Sequence, residues 1–372
     1  MRRSEKRGLP RRMSDLYSRL RARGRRRTGV DGESSRRAEP ATGAGERGQD
    51  NPGERGRQKA SGNQQGDALR ALPQGFSREG ELFVRRELIP FSELPGSPQP
   101  IGPAEYVTVP LRLGSTAAPA ASDESVEGVS PRPCETHLFF DVEATGLSTG
   151  AGSVAFLVGL GRATSGGFEL VQRLLPDYPY EPELLASLAD YFEETTQEIG
   201  KPTLVSYNGR SFDTPLLKTR MLMNGFSMEL PLELDLLPIA RRFWRRSLSH
   251  CSLGAVEGEV LNIAREIDIP GALVPLRYFD YLSTGDTGLL REVTAHHRQD
   301  ILTLYILLSA VERLLRGEHV EPGRDVDAFE LARLLLEQRP SDGSAERGET
   351  LLHECAERGD DGRASTYFGW YM

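Results

Sequence analysis

His137-Leu-Phe-Phe-Asp-Val-Glu143 is the stretch on which the reading of this chain turns. The apolar run Leu138-Phe-Phe140 has the character of a buried strand, and it passes without a break into Asp141-Val-Glu143. Side chains alternate along a strand, so carboxylates two residues apart point to one face. Like charges held that close are costly unless a cation neutralises them. Hard oxygen donors of this kind suit Mg²⁺ or Mn²⁺. Thr145-Gly-Leu147 then turns the chain away. A solvated acidic turn would look the same, so the weight of the pair depends on what the rest of the chain brings to it.

Downstream, Val154–Leu160 and Phe168–Leu174 read as two more strands, separated by a turn at Ser165-Gly-Gly167, and the three form an antiparallel meander. Apolar residues at 184, 185, 188, 189 and 192 have helix spacing, with Pro182 in the first turn of a helix running to about Ile199. Thr203–Tyr207 is a strand, and a helix from about Thr214 to Met223 stops at Gly225. Leu234–Trp244 is a strand end or a helix start. Residues 252–315 are mainly helical and finish in a strong helix over Leu289–Leu315. The expected class is α/β, a mixed sheet of three antiparallel strands followed by parallel ones, flanked by helices.

Two more pieces accompany Asp141 and Glu143. Ser206-Tyr-Asn-Gly-Arg-Ser-Phe-Asp213 sets Asn208 and Gly209 just past a strand and Asp213 at the opening of a helix, where capping is the ordinary role of an aspartate. His296-His-Arg-Gln-Asp300 lies inside an apolar helix whose core stripe is Ile301, Leu304, Leu308 and Val311. His296 and Asp300 are four apart and share a face. Asp300 borders buried surface, where a carboxylate needs a partner.

In this order, Asp-x-Glu, Asn-Gly-x-x-Phe-Asp and His-x-x-x-Asp resemble the three motifs of the DEDD exonuclease superfamily, which has the RNase H-like fold. The resemblance is closer to its YprB-like branch. It extends through Phe139–Leu147, Val205–Asp213, Leu248-Ser-His-Cys-Ser-Leu-Gly-Ala-Val-Glu257 and Asp268-Ile-Pro-Gly271, and spans roughly residues 72–315. It implies a metal-dependent nuclease, an exonuclease acting on DNA or RNA in nucleic-acid repair or processing. Two Mg²⁺ or Mn²⁺ ions would be held by Asp141, Glu143, Asp213 and Asp300, with Asp141 bridging both. His296 would accept the proton of the attacking water, an imidazole being suited to that near neutral pH, and Asn208 would fix substrate or a water. The superfamily places a His five residues, or a Tyr four residues, before the last Asp. This chain has Ala295 and His296 at those spacings, and His297 stays open as the alternative base.

The remainder of the chain frames this domain, expected at 135–316. Residues 1–30 hold twelve Lys and Arg against two acidic residues, a balance of +10. The net charge is −8, so everything else sums to −8 minus +10, or −18. Residues 1–72 have almost no aromatics and read as a disordered basic and polar arm. Residues 73–134 read as a small β-rich leader, including Glu81–Arg85 and Tyr106–Pro110, and a linker over 115–133. Residues 320–372 read as a helical tail with helices at Val326–Gln338 and about Gly348–Arg358, a docking surface for a protein partner such as a helicase. Arg241-Arg-Phe-Trp-Arg-Arg246 interleaves cations and aromatics. Arg241, Arg242, Trp244, Arg245 and Arg246 would contact nucleic acid, single-stranded or at frayed ends, if the aromatics do not simply pack inward. Lys218 and Arg220 are lesser candidates.

Cys134, Cys251 and Cys355 are far apart, which argues against a disulfide framework or zinc ribbon and suits a reducing cytoplasm. Arg2-Arg3 and Arg11-Arg12 are followed by no apolar stretch, and the longest apolar run, Ile301–Val311, is too short for a bilayer, so a soluble protein without a membrane partner is expected. The competing reading is a catalytically idle RNase H-like module that binds nucleic acid or docks a protein. It leaves unexplained why like charges are kept together.

Overall fold

The computed structural model describes residues 71–95, 137–146, 150, 152–227, 230–265, 267, 269–318, 325–337, 344–358 and 362–371. The strands are β1 (Ser77–Glu79), β2 (Leu82–Ile89), β3 (His137–Ala144), β4 (Ala155–Thr164), β5 (Gly167–Leu174), β6 (Thr203–Ser206) and β7 (Glu233–Asp235). The α-helices are α1 (Glu181–Ile199), α2 (Asp213–Met223), α3 (Leu236–Trp244), α4 (Leu253–Glu259), α5 (Val274–Thr284), α6 (Arg291–Leu315), α7 (Ala328–Glu337), α8 (Ser344–Arg358) and α9 (Gly362–Tyr371). They build a single seven-stranded sheet in the order β1-β2-β5-β4-β3-β6-β7. The pairs β3–β4 and β4–β5 are antiparallel, while β3–β6 and β6–β7 are parallel. Helices flank this mixed sheet, as the element order implies for an RNase H-like fold.

Alternation along β3 divides the core in two. Leu138, Phe140 and Val142 face a cluster with Leu184, Leu188, Leu216 and Tyr278. Phe139 faces the other side, against Ile301, Leu304 and Tyr305 of α6. The Phe139, Phe168 and Tyr305 rings meet there with centroids 5.0–5.7 Å apart. Asp141 and Glu143 have the parity of Phe139 and therefore lie on the side of α6. Two glycines of β4 let that helix approach. A Cβ on Gly159 would come within 2.0 Å of Ile301 Cδ1 and 2.4 Å of His297 Cε1, and one on Gly161 within 2.8 Å of Ile301 Cγ2.

The segment expected as a separate β-rich leader does supply strands, but they extend the main sheet. β2 pairs with β5 from Phe83 to Ile89, and Arg298 of α6 donates to Glu87 at 2.8 Å. A short stretch cannot reveal which distant edge will complete its hydrogen bonds, and an open edge is where such a strand ends up. Tyr106–Pro110, the linker over 115–133 and the arm over 1–70 lie outside the described residues. The tail carries α9 in addition to the two helices expected there. α7 is tied to α3 by Arg242, which donates to Glu330 at 3.0 Å and Glu337 at 2.8 Å. Among the described residues, no helix is long and apolar enough to cross a membrane.

Candidate active site

β6 is shorter than β3 and meets it only over His137–Phe139, so the carboxylate end of β3 runs on past this parallel neighbour. The crevice beyond the carboxyl ends of parallel strands is where open α/β sheets place their chemistry. Asn208, at φ 67°, turns the chain out of β6, with its amide donating to Asp235 Oδ1 at 2.7 Å. Gly209 follows because a Cβ there would collide with Ser206 Oγ and Glu233 Oε1, both within about 2.6 Å. The turn delivers Asp213 as the first residue of α2, hydrogen-bonded to the backbone of Val142, between Asp141 and Glu143. From the opposite side α6 brings Asp300. Glu143, His296 and Asp300 each offer a ligand atom, and these atoms lie within 4.8 Å of one another.

Burial and neighbouring charges set the electrostatics of these groups. Burial pushes the Asp141 carboxyl well above the usual range, and the charges of Asp213, Asp300 and Glu143 push it further. Burial, then Asp300 and Asp213, raise Glu143 to about 8. Burial and Glu233 raise Asp213 to about 8, with the backbone bonds to its own amide and to Val142 opposing. Acids crowded out of water, as Asp141, Glu143 and Asp213 are, hold protons unless a cation joins them. The donor set, hard carboxylate oxygens with one imidazole nearby, fits a divalent ion such as Mg²⁺ or Mn²⁺.

The two histidines occupy different surroundings. His296 Nε2 lies 3.3 Å from Asp300 Oδ2, at the carboxylates. His297 is fully buried beneath the strand, its Nε2 3.2 Å from the carbonyl oxygen of Asp141 and 3.7 Å from Asp141 Oδ2. Gln172, buried on β5, donates from Nε2 to the Thr294 carbonyl and to His297 Nδ1, both at 2.9 Å. Nδ1 therefore accepts, and the ring proton sits on Nε2 and points at the Asp141 carbonyl. Burial lowers His297 to about 3, so it stays neutral. It is a strut under Asp141, reached through Gln172.

Sequence reasoning missed Arg265. This arginine follows α4 and donates to Asp300 Oδ1 at 2.5 Å, to His296 Nδ1 at 2.7 Å, and to the fully buried Glu257. Thr303 of α6 donates to the other oxygen of Glu257. Nothing in the residues around Arg265 announces a role, since its partners lie 8, 31 and 35 positions away. Glu257, by contrast, closes the segment Leu248–Glu257 that the sequence singled out.

The basic stretch divides. Phe243 and Trp244 are buried in the α6 core, so Trp244 offers no face for a base to stack on, and Arg242 is committed to Glu330 and Glu337. The strong amphipathicity of α3 decides it: the aromatics fall on the apolar side. Arg241, Arg245 and Arg246 are exposed, and Arg246 reaches Asp327 only at 3.8 Å. Arg220, another expected nucleic-acid contact, instead makes a buried two-pronged bond to Glu181 at 2.5 Å, while Lys218 is exposed.

The fold is RNase H-like, and residues 138–312 match the family model RNase_H_2 of the RNase_H superfamily. The chain is YprB-like in this part: it is 33% identical over 228 residues to the "Uncharacterized protein YprB" of Bacillus subtilis (strain 168), a match covering 60% of this chain and 54% of that one. The chain thus spans about half the length of that relative. A family B DNA polymerase from the hyperthermophilic archaeon Pyrobaculum calidifontis aligns at 18% identity and TM-score 0.38, covering 62% of this chain and 30% of the polymerase. E. coli Exonuclease I in complex with an oligonucleotide aligns at 17% identity and TM-score 0.26, covering 40% of this chain and 42% of the exonuclease. Likenesses of that size add nothing to the fold already described.

Proposed function

We propose that this domain is a divalent-metal-dependent nuclease that hydrolyses phosphodiester bonds of DNA or RNA, most simply as an exonuclease of the DEDD type. The observation that carries the reading is the convergence of Asp141, Glu143, Asp213 and Asp300 from β3, α2 and α6, with Asp141 and Glu143 raised by burial and by their fellow site acids and Asp213 by burial and Glu233. Two Mg²⁺ or Mn²⁺ ions bound there would supply Lewis acidity at phosphorus and a more acidic attacking water. Asp141, flanked by the other acids, would help to hold both ions. Glu143 and Asp300 would hold one, and Asp213 the other. His296, beside Asp300, is the group to take the proton from the attacking water.

Arg241, Arg245, Arg246 and Lys218 are exposed cations for phosphate contacts on a body that is otherwise acidic, and Asn208 is exposed at the turn beside the acids. Work in repair or processing, a cytoplasmic setting and a protein partner on α7–α9 complete the reading. The test is cleavage of end-labelled DNA and RNA, single- and double-stranded, in Mn²⁺, Mg²⁺ and EDTA, by the native protein and by Asp141→Asn and Asp300→Asn. Cleavage confined to the native protein with metal is expected. Cleavage that survives EDTA and both substitutions would sink the proposal.

A further inference from the structure

Arg265 stands among the acids as the cation of the site. It is the positive charge that offsets both Asp141 and Glu143, which burial and fellow carboxylates push upward. Its guanidinium spans three partners at once: Asp300 at 2.5 Å, His296 Nδ1 at 2.7 Å, and Glu257. Two of those partners, Asp300 and His296, belong to the trio whose ligand atoms lie within 4.8 Å of one another. A planar fork with fixed donors suits such bridging, and it never gives up its proton.

The contact with His296 also fixes the ring. Arginine can only donate, so Nδ1 must accept, and the proton of the neutral imidazole falls on Nε2, towards Asp300 Oδ2. Held so, neither nitrogen has a lone pair to offer a water. The arrangement is well made for stability without an ion and poorly made for proton transfer.

We propose that Arg265 is a resident counter-cation, a latch that gives way when a divalent ion enters at Asp300. Its release frees His296 Nδ1 from that hydrogen bond. This inference rests on the metal-dependent reading above. The fully buried carboxylate of Glu257, held from behind by Thr303, is where the released guanidinium stays tethered. Arg265 is then a positioning residue: it touches the residues that bind the ion, and its charge sets their affinity. Linkage makes the effect reciprocal, the ion weakening the Arg265–Asp300 pair by the factor by which that pair weakens the ion.

Calorimetric titration of the full chain with Mn²⁺ separates the two ideas, because it reads affinity and not turnover. Arg265→Gln should bind Mn²⁺ at least about fivefold more tightly than the native protein, within the span of ordinary coupling energies. It should also melt at a lower temperature in EDTA. Arg265→Lys, whose single ammonium cannot span three partners, should tighten binding by a smaller factor and covers the case in which the glutamine variant fails to fold. Native protein that binds Mn²⁺ while both variants bind it equally or more weakly would overturn the latch and leave the metal reading standing. An absence of binding in all three proteins would overturn both.

Discussion

Adjacent in the chain, His296 and His297 leave α6 about 100° apart, and that angle sends one to the acids and the other beneath the strand. Replacing His296 with Ala should lower kcat by about 10²- to 10⁴-fold, the usual contribution of a general base, with the Mn²⁺ affinity little changed. A variant that cuts at the native rate would remove His296 from the chemistry. His297→Ala acts elsewhere. It leaves Gln172 and the Asp141 carbonyl without their buried partner, which costs about 1–3 kcal/mol for each such group, so its melting temperature should drop. A His297 variant as stable as the native protein would show that the strut carries no load. The sequence favoured His296 as the base by its helical spacing from Asp300 and kept His297 as the alternative, and in the structure His297 is the fully buried one. That the Gln172 amide decides the tautomer of His297 could not be read from residues 125 positions away.

At the level of the element, the sheet and its covering helices were legible because their signals are local. Strand alternation, the stripe of Ile301, Leu304, Leu308 and Val311, and the turn signals at Gly166–Gly167 and Gly225 all act within a few residues. What stayed hidden depends on distant partners: the edge on β5 that β2 completes, the burial of Trp244, and the arginine among the acids. The aromatics of α3 show the difficulty, since a helix with cations on one side and Phe243 and Trp244 on the other has the composition of a nucleic-acid patch and of a core helix alike. α9, with Gly362, Gly369 and several aromatics, lacks the propensity that would have announced it. The two glycines of β4 belong to the same class of hidden requirement. Gly159→Val would drive a side chain into Ile301 and His297, and overpacking of this kind costs about 1–3 kcal/mol. Because His297 supports Asp141, the variant should lose Mn²⁺ affinity as well as stability, read by calorimetry and thermal melting. Native-like values in both would mean that α6 has room to retreat.

For the whole molecule, the crowded acids make stability depend on pH. Glu143 and Asp213 have folded pKa values near 8, above their ordinary ones. The folded protein therefore binds more protons than the unfolded chain between about 4.5 and 8, and this contribution to stability is lost as pH rises through that window. His297, lowered from 6.5 to about 3, works the other way, but only below 6.5. Between pH 6.5 and 8 the acids act alone. In EDTA the melting temperature should fall across that interval, and saturating Mn²⁺ should raise it and remove the slope. A flat or rising melting temperature in EDTA would show that the four carboxylates are less crowded than their geometry implies. Removing residues 1–72, which include the +10 balance of residues 1–30, should weaken nonspecific nucleic-acid binding chiefly at low salt. Equal affinity at low salt with and without the arm would exclude it as a phosphate-binding element.

The carboxylates of the site come from positions 141, 143, 213 and 300, and the contact that seats Asp141 closes a loop of 156 residues. Contacts so far apart form late, since the entropy of closing the chain must be met before they return anything, and folds rich in them take milliseconds to seconds to assemble. No fragment that stops short of α6 can gather the four. On the metal-dependent reading, an ion that requires all of them would find no foothold on a nascent or half-folded chain, and its capture would mark the moment at which α6 has reached the sheet.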